Sequence, residues 1–292
     1  MTTERREHRL FGLFVVTCAT VLWSTAGIFV RLTELDVWSV LGWRSLFATL
    51  ALLLMTAIKN GQRTRLLLPN STPLLLFAVA IATINMGAYV VALKLTTVAN
   101  VMIVYATVPL ITAGVAYFAI GEKTTRLVLI VSCIAFAGVV FMVGSTTRLT
   151  DIAGCLISLL MTVAMAIQII MARRNRNLDM GEVNTYAALA CCIIGLAFSQ
   201  AGIPSWHELL VLAAFGVSNT ALAYFFVMVG ARHIPPAEVG LIGMVDVVLG
   251  PLWVWLLFAE NPGHKTLIGG AVVLCAVGYY LLSQLRVQGT KT

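Results

Sequence analysis

The sequence predicts an all-α membrane protein with ten transmembrane helices arranged as two inverted five-helix repeats. Three observations lead there. The 292 residues are 60% hydrophobic and only 11% charged, whereas soluble domains run at about 45–50% apolar and about 25% charged. No soluble core could hide that much apolar surface. The apolar residues fall into ten runs, each about as long as a helix that crosses the hydrocarbon core. The second five runs repeat the pattern of the first five.

The ten segments are 10–32, 37–58, 73–94, 97–119, 126–145, 151–172, 181–201, 208–231, 235–258 and 266–285. Arg5, Arg6 and Arg9 precede the first, as in a secretory signal. Its apolar run is longer than the roughly 7–15 residues of a signal core, and it has a repeat partner, so it reads as a transmembrane segment. Basic residues orient the rest. With the N-terminus in the cytoplasm, 14 lie inside: Arg5, Arg6, Arg9, Lys59, Arg63, Arg65, Lys123, Arg126, Arg173, Arg174, Arg176, Arg232, Arg286 and Lys291. Only 4, Arg31, Lys94, Arg148 and Lys265, lie outside. Both termini are therefore expected in the cytoplasm of a multi-pass inner-membrane protein. The net charge of +7 is explained by this topology. No basic-aromatic stripe suggests a nucleic-acid partner. The connecting loops leave no room for a soluble catalytic domain.

The duplication is read by sliding the chain along itself. An offset of 138 places Ala99 on Ala237, Val101 on Val239 and Glu122 on Glu260. An offset of 142 places Gly12 on Gly154, Thr20 on Thr162 and Arg31 on Arg173, and one residue of slip brings Asp36 onto Asp179. Ala88-Tyr89 falls on Ala223-Tyr224, and Gly138 on Gly278. The expected units are 1–146 and 147–292. Each holds an odd number of segments, so the second enters the membrane from the opposite side. Inverted repeats of this kind place a site near mid-membrane and alternate its access.

LWSTAGIFVRL at Leu22–Leu32, Arg44 early in segment 2, the run Ala99…Pro109…Glu122 and its counterpart Ala237…Pro251…Glu260 carry a further inference. Across nearly the whole chain the pattern resembles the drug/metabolite transporter superfamily, in its ten-helix EamA-like branch. The resemblance implies a secondary transporter for a small organic metabolite, often moved outward. It also implies that a basic residue is common at the place of Arg44. One departure stands out: Pro251 lies four positions beyond the place that the offset of 138 assigns to the partner of Pro109, so the kinks need not be symmetric.

Asp246 is the sharpest candidate for chemistry. It lies about 16 Å into segment 9 at about 1.5 Å per residue, too deep to reach either interface. A carboxylate at that depth costs roughly 2.5–3.5 kcal/mol on insertion scales, and a group that changes protonation as access alternates would couple transport to protons. Arg44, about 10 Å below the outer face, is expected to snorkel, to pair with Asp246 or to meet a substrate carboxylate. Glu238 reads as a solvated charge at a helix start. Asn85, Asn219 and Gln168 offer amides at mid-depth, either as interhelical hydrogen bonds or for substrate. Trp23, Tyr89, Tyr105 and Tyr224 could wall a binding site, although packing explains any one of them as well. Trp253 and Trp255 read as interface anchors. Pro109 and Pro251 remove mid-helix hydrogen bonds and could serve gating. Gly269, Gly270, Gly114 and Gly138 read as close helix contacts.

Other function classes lack their signatures. The six cysteines have no metal-ligand spacing, and no cofactor or metal is expected. His8, His207, His233 and His264 read as terminal or loop residues. There is no His-Glu-x-x-His pair, no Gly-x-Ser-x-Gly elbow and no phosphate loop, so an enzyme or ATP-driven pump is not expected. Export of an amino acid or related metabolite is the expectation. The alternatives are import of a vitamin or other small metabolite, and an uncoupled facilitator. The expected partners are a small-molecule substrate, membrane lipid and protons, with the protein a monomer or weak dimer. One acid, one base, amides and aromatics suit a zwitterion.

Overall fold

A computed structural model describes residues 3–60, 73–121, 126–143, 149–175, 178–200, 202–234, 239 and 242–289. These residues form no strand. The helices are α1 (Thr3–Ser24), α2 (Ala26–Arg31), α3 (Val37–Asn60), α4 (Pro73–Leu95), α5 (Val98–Tyr105), α6 (Val108–Ile120) and α7 (Arg126–Val143). There follow α8 (Leu149–Arg174), α9 (Met180–Phe198), α10 (Trp206–Ala214), a π-helical segment (Phe215–Leu222), α11 (Ala223–Gly230), α12 (Val245–Phe258) and α13 (His264–Gly289). Each of the ten predicted segments holds helix. Seven helical stretches among the described residues are long and apolar enough to cross a membrane. The other three segments hold the shorter apolar helices Ile130–Phe141, Val245–Phe258 and His264–Ala276. Large apolar side chains such as Phe14, Phe118 and Leu149 point outward, a surface suited to lipid, since lipid tails are as apolar as leucine. The unit boundary near 146, and Glu238 with its neighbours Pro235–Ala237, lie outside the described residues.

The packing relates the halves. Helix α3 packs on α9, α7 on α13, and α5 on α12. Each of these pairs joins equivalent segments of the two halves. Helix α4 packs on α8, and its counterpart under exchange of the halves is α11 on α1, which is also present. Exchanging the halves thus leaves the main pairings unchanged. The caps follow the same rule. Asp36 accepts from the N–H of Trp38 at 2.9 Å and of Ser39 at 3.1 Å at the start of α3. Its sequence partner Asp179 accepts from the N–H of Gly181 at 2.8 Å at the start of α9. Each carboxylate satisfies helix donors that would otherwise be unpaired.

Small residues set the closest approaches. A Cβ on Gly195 would lie 2.3 Å from the Gly42 backbone nitrogen, so α3 and α9 cross nearly backbone to backbone. Gly138 approaches the Gly269 carbonyl of α13 in the same way, and Gly270 sits against Ile103. Gly114 departs from expectation: nothing lies within 4 Å of where its Cβ would be, because its face of α6 meets open space.

Three segments are interrupted. Segment 4 breaks at Ala106–Thr107 and segment 9 at Met244, positions that the offset of 138 superposes. The helix breaks are therefore in register although the prolines are not. Pro109 is the second residue of α6, where its missing N–H would have had no partner in any case. Pro251 lies inside α12. The expectation that both prolines interrupt mid-helix bonding thus holds for Pro251 alone. Segment 1, expected as one helix, breaks at Thr25. The Ser24 hydroxyl donates to the Val21 carbonyl at 2.7 Å and that of Thr25 to the Leu22 carbonyl at 2.6 Å, bonds that bend helices. The equivalent stretch of α8 is continuous.

The histidines also differ from expectation. His8 lies within α1, His207 in the first turn of α10, and His264 at the start of α13; only His233 occupies a turn. The helices outrun the apolar cores, in α10 because Ser205 and Glu208 form a capping box ahead of the apolar run.

Candidate functional site

The π-helical segment builds the basic side of the site. Its extra residue per turn brings Phe215 and Thr220 to bear on Arg44 of α3. The Arg44 guanidinium lies 4.5 Å from the Phe215 ring centroid, within cation–π range. Its Nη2 donates to Thr220 Oγ1 at 3.1 Å. A Cβ on Gly216 would lie 2.3 Å from the Arg44 carbonyl oxygen, so only glycine lets this segment approach α3 so closely. Phe29 of α2 stacks on Phe215 with ring centroids 5.3 Å apart. Arg44 is 4% exposed, which excludes snorkelling. Its Nε and Nη1 are buried without a hydrogen-bond partner.

The acidic side comes from the break in segment 9. Because the helix restarts at Val245, Asp246 occupies the first turn of α12, where unpaired backbone N–H groups favour negative charge. It is 6% exposed, and its Oδ1 has no hydrogen-bond partner. The pairing of Arg44 with Asp246, one of the three alternatives read from the sequence, is not formed: the Arg44 side chain is directed to Phe215 and Thr220 instead. Tyr89 lies within electrostatic reach of both charges, and Tyr105, at the break in segment 4, within reach of Asp246. Both tyrosines pack on the main apolar core.

The amides divide into two groups. Asn85 of α4 donates to Gln168 Oε1 of α8 at 2.9 Å, a contact between two predicted site residues. Asn219 has a different partner. Its amide nitrogen donates to the Leu22 carbonyl at 3.0 Å and the Trp23 carbonyl at 2.9 Å. These are carbonyls released by the break at Thr25, so both N–H donors of Asn219 are engaged in capping segment 1. Trp23, in the last turn of α1, is partly buried.

Two placements depart from the reading of the sequence. Tyr224 sits apart from the charges, near Asp179 and hydrogen-bonded to Asn184 at the start of α9. Trp253 does not anchor an interface: its indole N–H donates to Ser24 Oγ at 2.9 Å, between α12 and the end of α1. Trp255 is 51% exposed, in keeping with an interfacial position.

Sequence reasoning missed Phe215 and Thr220. Thr220 carried a signal, since it falls opposite Asn85 in the repeat alignment; Phe215 carried none. It also missed an ion pair in which Arg31 Nε meets Glu260 Oε2 at 2.7 Å. Each reads in sequence as a repeat-matched residue at a segment end, Arg31 on Arg173 and Glu260 on Glu122, with nothing to show that the two meet. No group of three or more His, Cys, Asp or Glu residues among those described could hold a metal.

An uncharacterized transporter from Helicobacter pylori (strain J99) is 24% identical over 284 residues, covering 93% of this chain and 94% of that protein. A crystal structure of a protein 18% identical superposes with a TM-score of 0.66 over 94% of this chain and 98% of the other, which shows a shared fold. The EamA-like transporter family matches twice, over residues 10–144 and again over 152–283. This multi-pass membrane protein belongs to the EamA-like transporter family.

Proposed function

We propose that this protein is a secondary transporter that moves a small organic metabolite across the inner membrane by alternating access. Export of an amino acid or related metabolite is the favoured reading. One observation carries it: two opposite charges, Arg44 and Asp246, are buried in the same bundle, each with unpaired polar atoms. A buried charge without a partner is costly, and a membrane protein that keeps two of them unpaired is suited to a solute that supplies both partners. In this reading the unpartnered Nε–H and Nη1–H of Arg44 are the donors left for a carboxylate of the solute, each in a charge-assisted hydrogen bond. Asp246 takes an ammonium group, or a proton when the solute has left. Tyr89 and Tyr105 line the space between. The Asn85–Gln168 pair is the polar contact that could open to a side chain of the solute.

The same reading takes the ten segments as ten crossings in two inverted five-helix repeats, 1–146 and 147–292, with both termini cytoplasmic. The exchange of packing partners between the halves, the excess of basic residues on one side and the matched breaks at Ala106 and Met244 support it. Pro251, inside α12, is the gating candidate that keeps a mid-helix position.

The test is flux in proteoliposomes, screened over amino acids and vitamins, for the wild type and Asp246→Asn, with and without a pH gradient. The expected result is uphill wild-type flux driven by the gradient, and an Asp246→Asn protein that exchanges solute but has lost that drive. Transport by Asp246→Asn equal to wild type in both conditions would remove Asp246 from the mechanism and leave an uncoupled facilitator.

A further inference from the structure

We propose that α2 is a gate, hinged at Thr25 and latched at Arg31, that closes the end of the bundle carrying Glu260. The proposal rests on the alternating-access reading above, and three layers of contact carry it. At the hinge, the chain is broken and held from two sides. Asn219 caps the Leu22 and Trp23 carbonyls, and Trp253 donates to Ser24. The second layer is apolar. A Cβ on Gly27 would lie 2.9 Å from Val98 of α5 and 3.4 Å from Val254 of α12, and Ala26, Val30, Val98 and Val254 are buried. The third layer is the latch. Arg31 Nε pairs with Glu260 at 2.7 Å, Nη1 donates to the Leu93 carbonyl at 2.8 Å, and Nη2 to the Thr96 carbonyl at 3.0 Å. The second oxygen of Glu260 accepts from the Val98 N–H at 2.9 Å. One ion pair thus ties α2, the end of α4, the start of α5 and the end of α12 together, across the two halves.

The latch has the properties of a reversible contact. Its side chains are 24% and 19% exposed, so water can replace the bonds when they open. Helix α2 is about 9 Å long at about 1.5 Å per residue, so a tilt at Thr25 swings Arg31 clear of Glu260. Below the breaks the packing differs. Ile111 through Val115 of α6 are only partly buried, and Gly114 and Gly243 meet nothing within 4 Å. Among the described residues, the contacts that tie the two halves at a bundle end are those around Arg31 and Glu260. In sequence, the same two residue types recur at the equivalent positions, Arg173 and Glu122.

The test is hydrogen exchange followed by mass spectrometry on the full chain in lipid nanodiscs, with no solute needed. Glu260→Gln keeps an acceptor for Val98 and removes the ion pair. Arg31→Lys keeps the charge and loses the three-way geometry, and serves as the second variant should the first fold poorly. In Glu260→Gln the amides of α2 and α5 should exchange roughly tenfold faster, equivalent to about 1.4 kcal/mol, while those of α6 slow down. Arg31→Lys should shift the same peptides in the same directions by less. The reciprocal change marks a gate, because a contact that only stabilises the bundle would speed exchange without slowing it elsewhere. Faster exchange at both ends, or no change, overturns the proposal. Flux measured on the same samples keeps the two ideas separate. Reciprocal exchange without flux leaves the gate and removes the transport reading; flux without reciprocal exchange does the opposite.

Discussion

Replacing Asn219 by alanine tests how the break in segment 1 is held. Its amide bonds two carbonyls, and they are not equally dependent on it. The Leu22 carbonyl also accepts the Thr25 hydroxyl at 2.6 Å and the Thr25 N–H at 3.3 Å. For the Trp23 carbonyl the Asn219 amide, at 2.9 Å, is the one side-chain donor among the described residues. Asn219→Ala therefore orphans one carbonyl, not two. An unsatisfied buried acceptor costs about 1–3 kcal/mol, and side-chain hydrogen bonds within membranes average about 0.6 kcal/mol. Together they give an expected loss of about 1.5–3.5 kcal/mol. Thr25→Val alone should cost under about 0.5 kcal/mol, because Asn219 still serves Leu22. In the Asn219→Ala background the same change leaves the Leu22 carbonyl only the long bond from the residue-25 N–H at 3.3 Å, and the double variant should exceed the sum of the singles by about 0.5–1 kcal/mol. Reversible unfolding in mixed micelles, followed by circular dichroism, measures all four proteins. A loss under about 0.5 kcal/mol for Asn219→Ala, or strict additivity, would refute the assignment of Asn219 as the cap.

Three further outcomes are expected. Ala259 adopts φ 53° immediately before Glu260, where the equivalent residue of the first half is Gly121 at φ 72°. Ala259→Gly should leave stability unchanged or raise it by up to about 1 kcal/mol in the same unfolding assay, and Gly121→Ala should lower it by about 1 kcal/mol. Gly195→Ala drives a methyl group into the Gly42 backbone and should cost about 1–3 kcal/mol, read as a shifted unfolding midpoint. Thr220→Val removes the hydrogen bond that the Arg44 guanidinium makes to Thr220 and should raise the KM for transported solute about tenfold or more, with Thr220→Ser restoring it in proteoliposome flux.

The helices were legible because lipid leaves the backbone no partner but itself, so every crossing must be a long apolar run. The repeat was legible for the same reason, and the caps at Asp36 and Asp179 and the breaks at Ala106 and Met244 fall where the sliding comparison puts them. What stayed hidden depends on contacts far apart in sequence. Nothing near Thr25 marks a break: there is no proline, and the next glycine is Gly27. The ordinary-looking hydroxyls of Ser24 and Thr25 bend the helix only with Asn219 at hand to take up the released carbonyls. Arg31 and Glu260 read as boundary charges because their pairing requires the ends of segments 1 and 9 to meet. Trp253 fits an interface by its depth in the sequence, yet the helical phase of α12 turns it toward Ser24. Gly114 shows the opposite failure, since a small residue permits close packing without requiring it.

The departures from symmetry define the site more sharply than the symmetry does. Segments 4 and 9 break alike, but α8 has no break to match Thr25, and α4 has no π-helical segment to match Phe215–Leu222. Both unmatched features lie at one contact, where Asn219 of the π-helical segment caps segment 1. From that contact Phe215 and Thr220 reach Arg44, Phe29 stacks on Phe215, and Ser24 receives Trp253 of α12. A perfectly duplicated bundle would offer the same groups twice, and a small asymmetric solute could meet only half of them. Among the described residues the first repeat supplies one buried cation, Arg44, and the second one buried anion, Asp246. A solute carrying one of each charge would bridge the halves. The residues that make the two repeats unlike are therefore the ones where substitutions should alter what is carried, while substitutions at the shared caps and glycine crossings should alter only how well the bundle holds together.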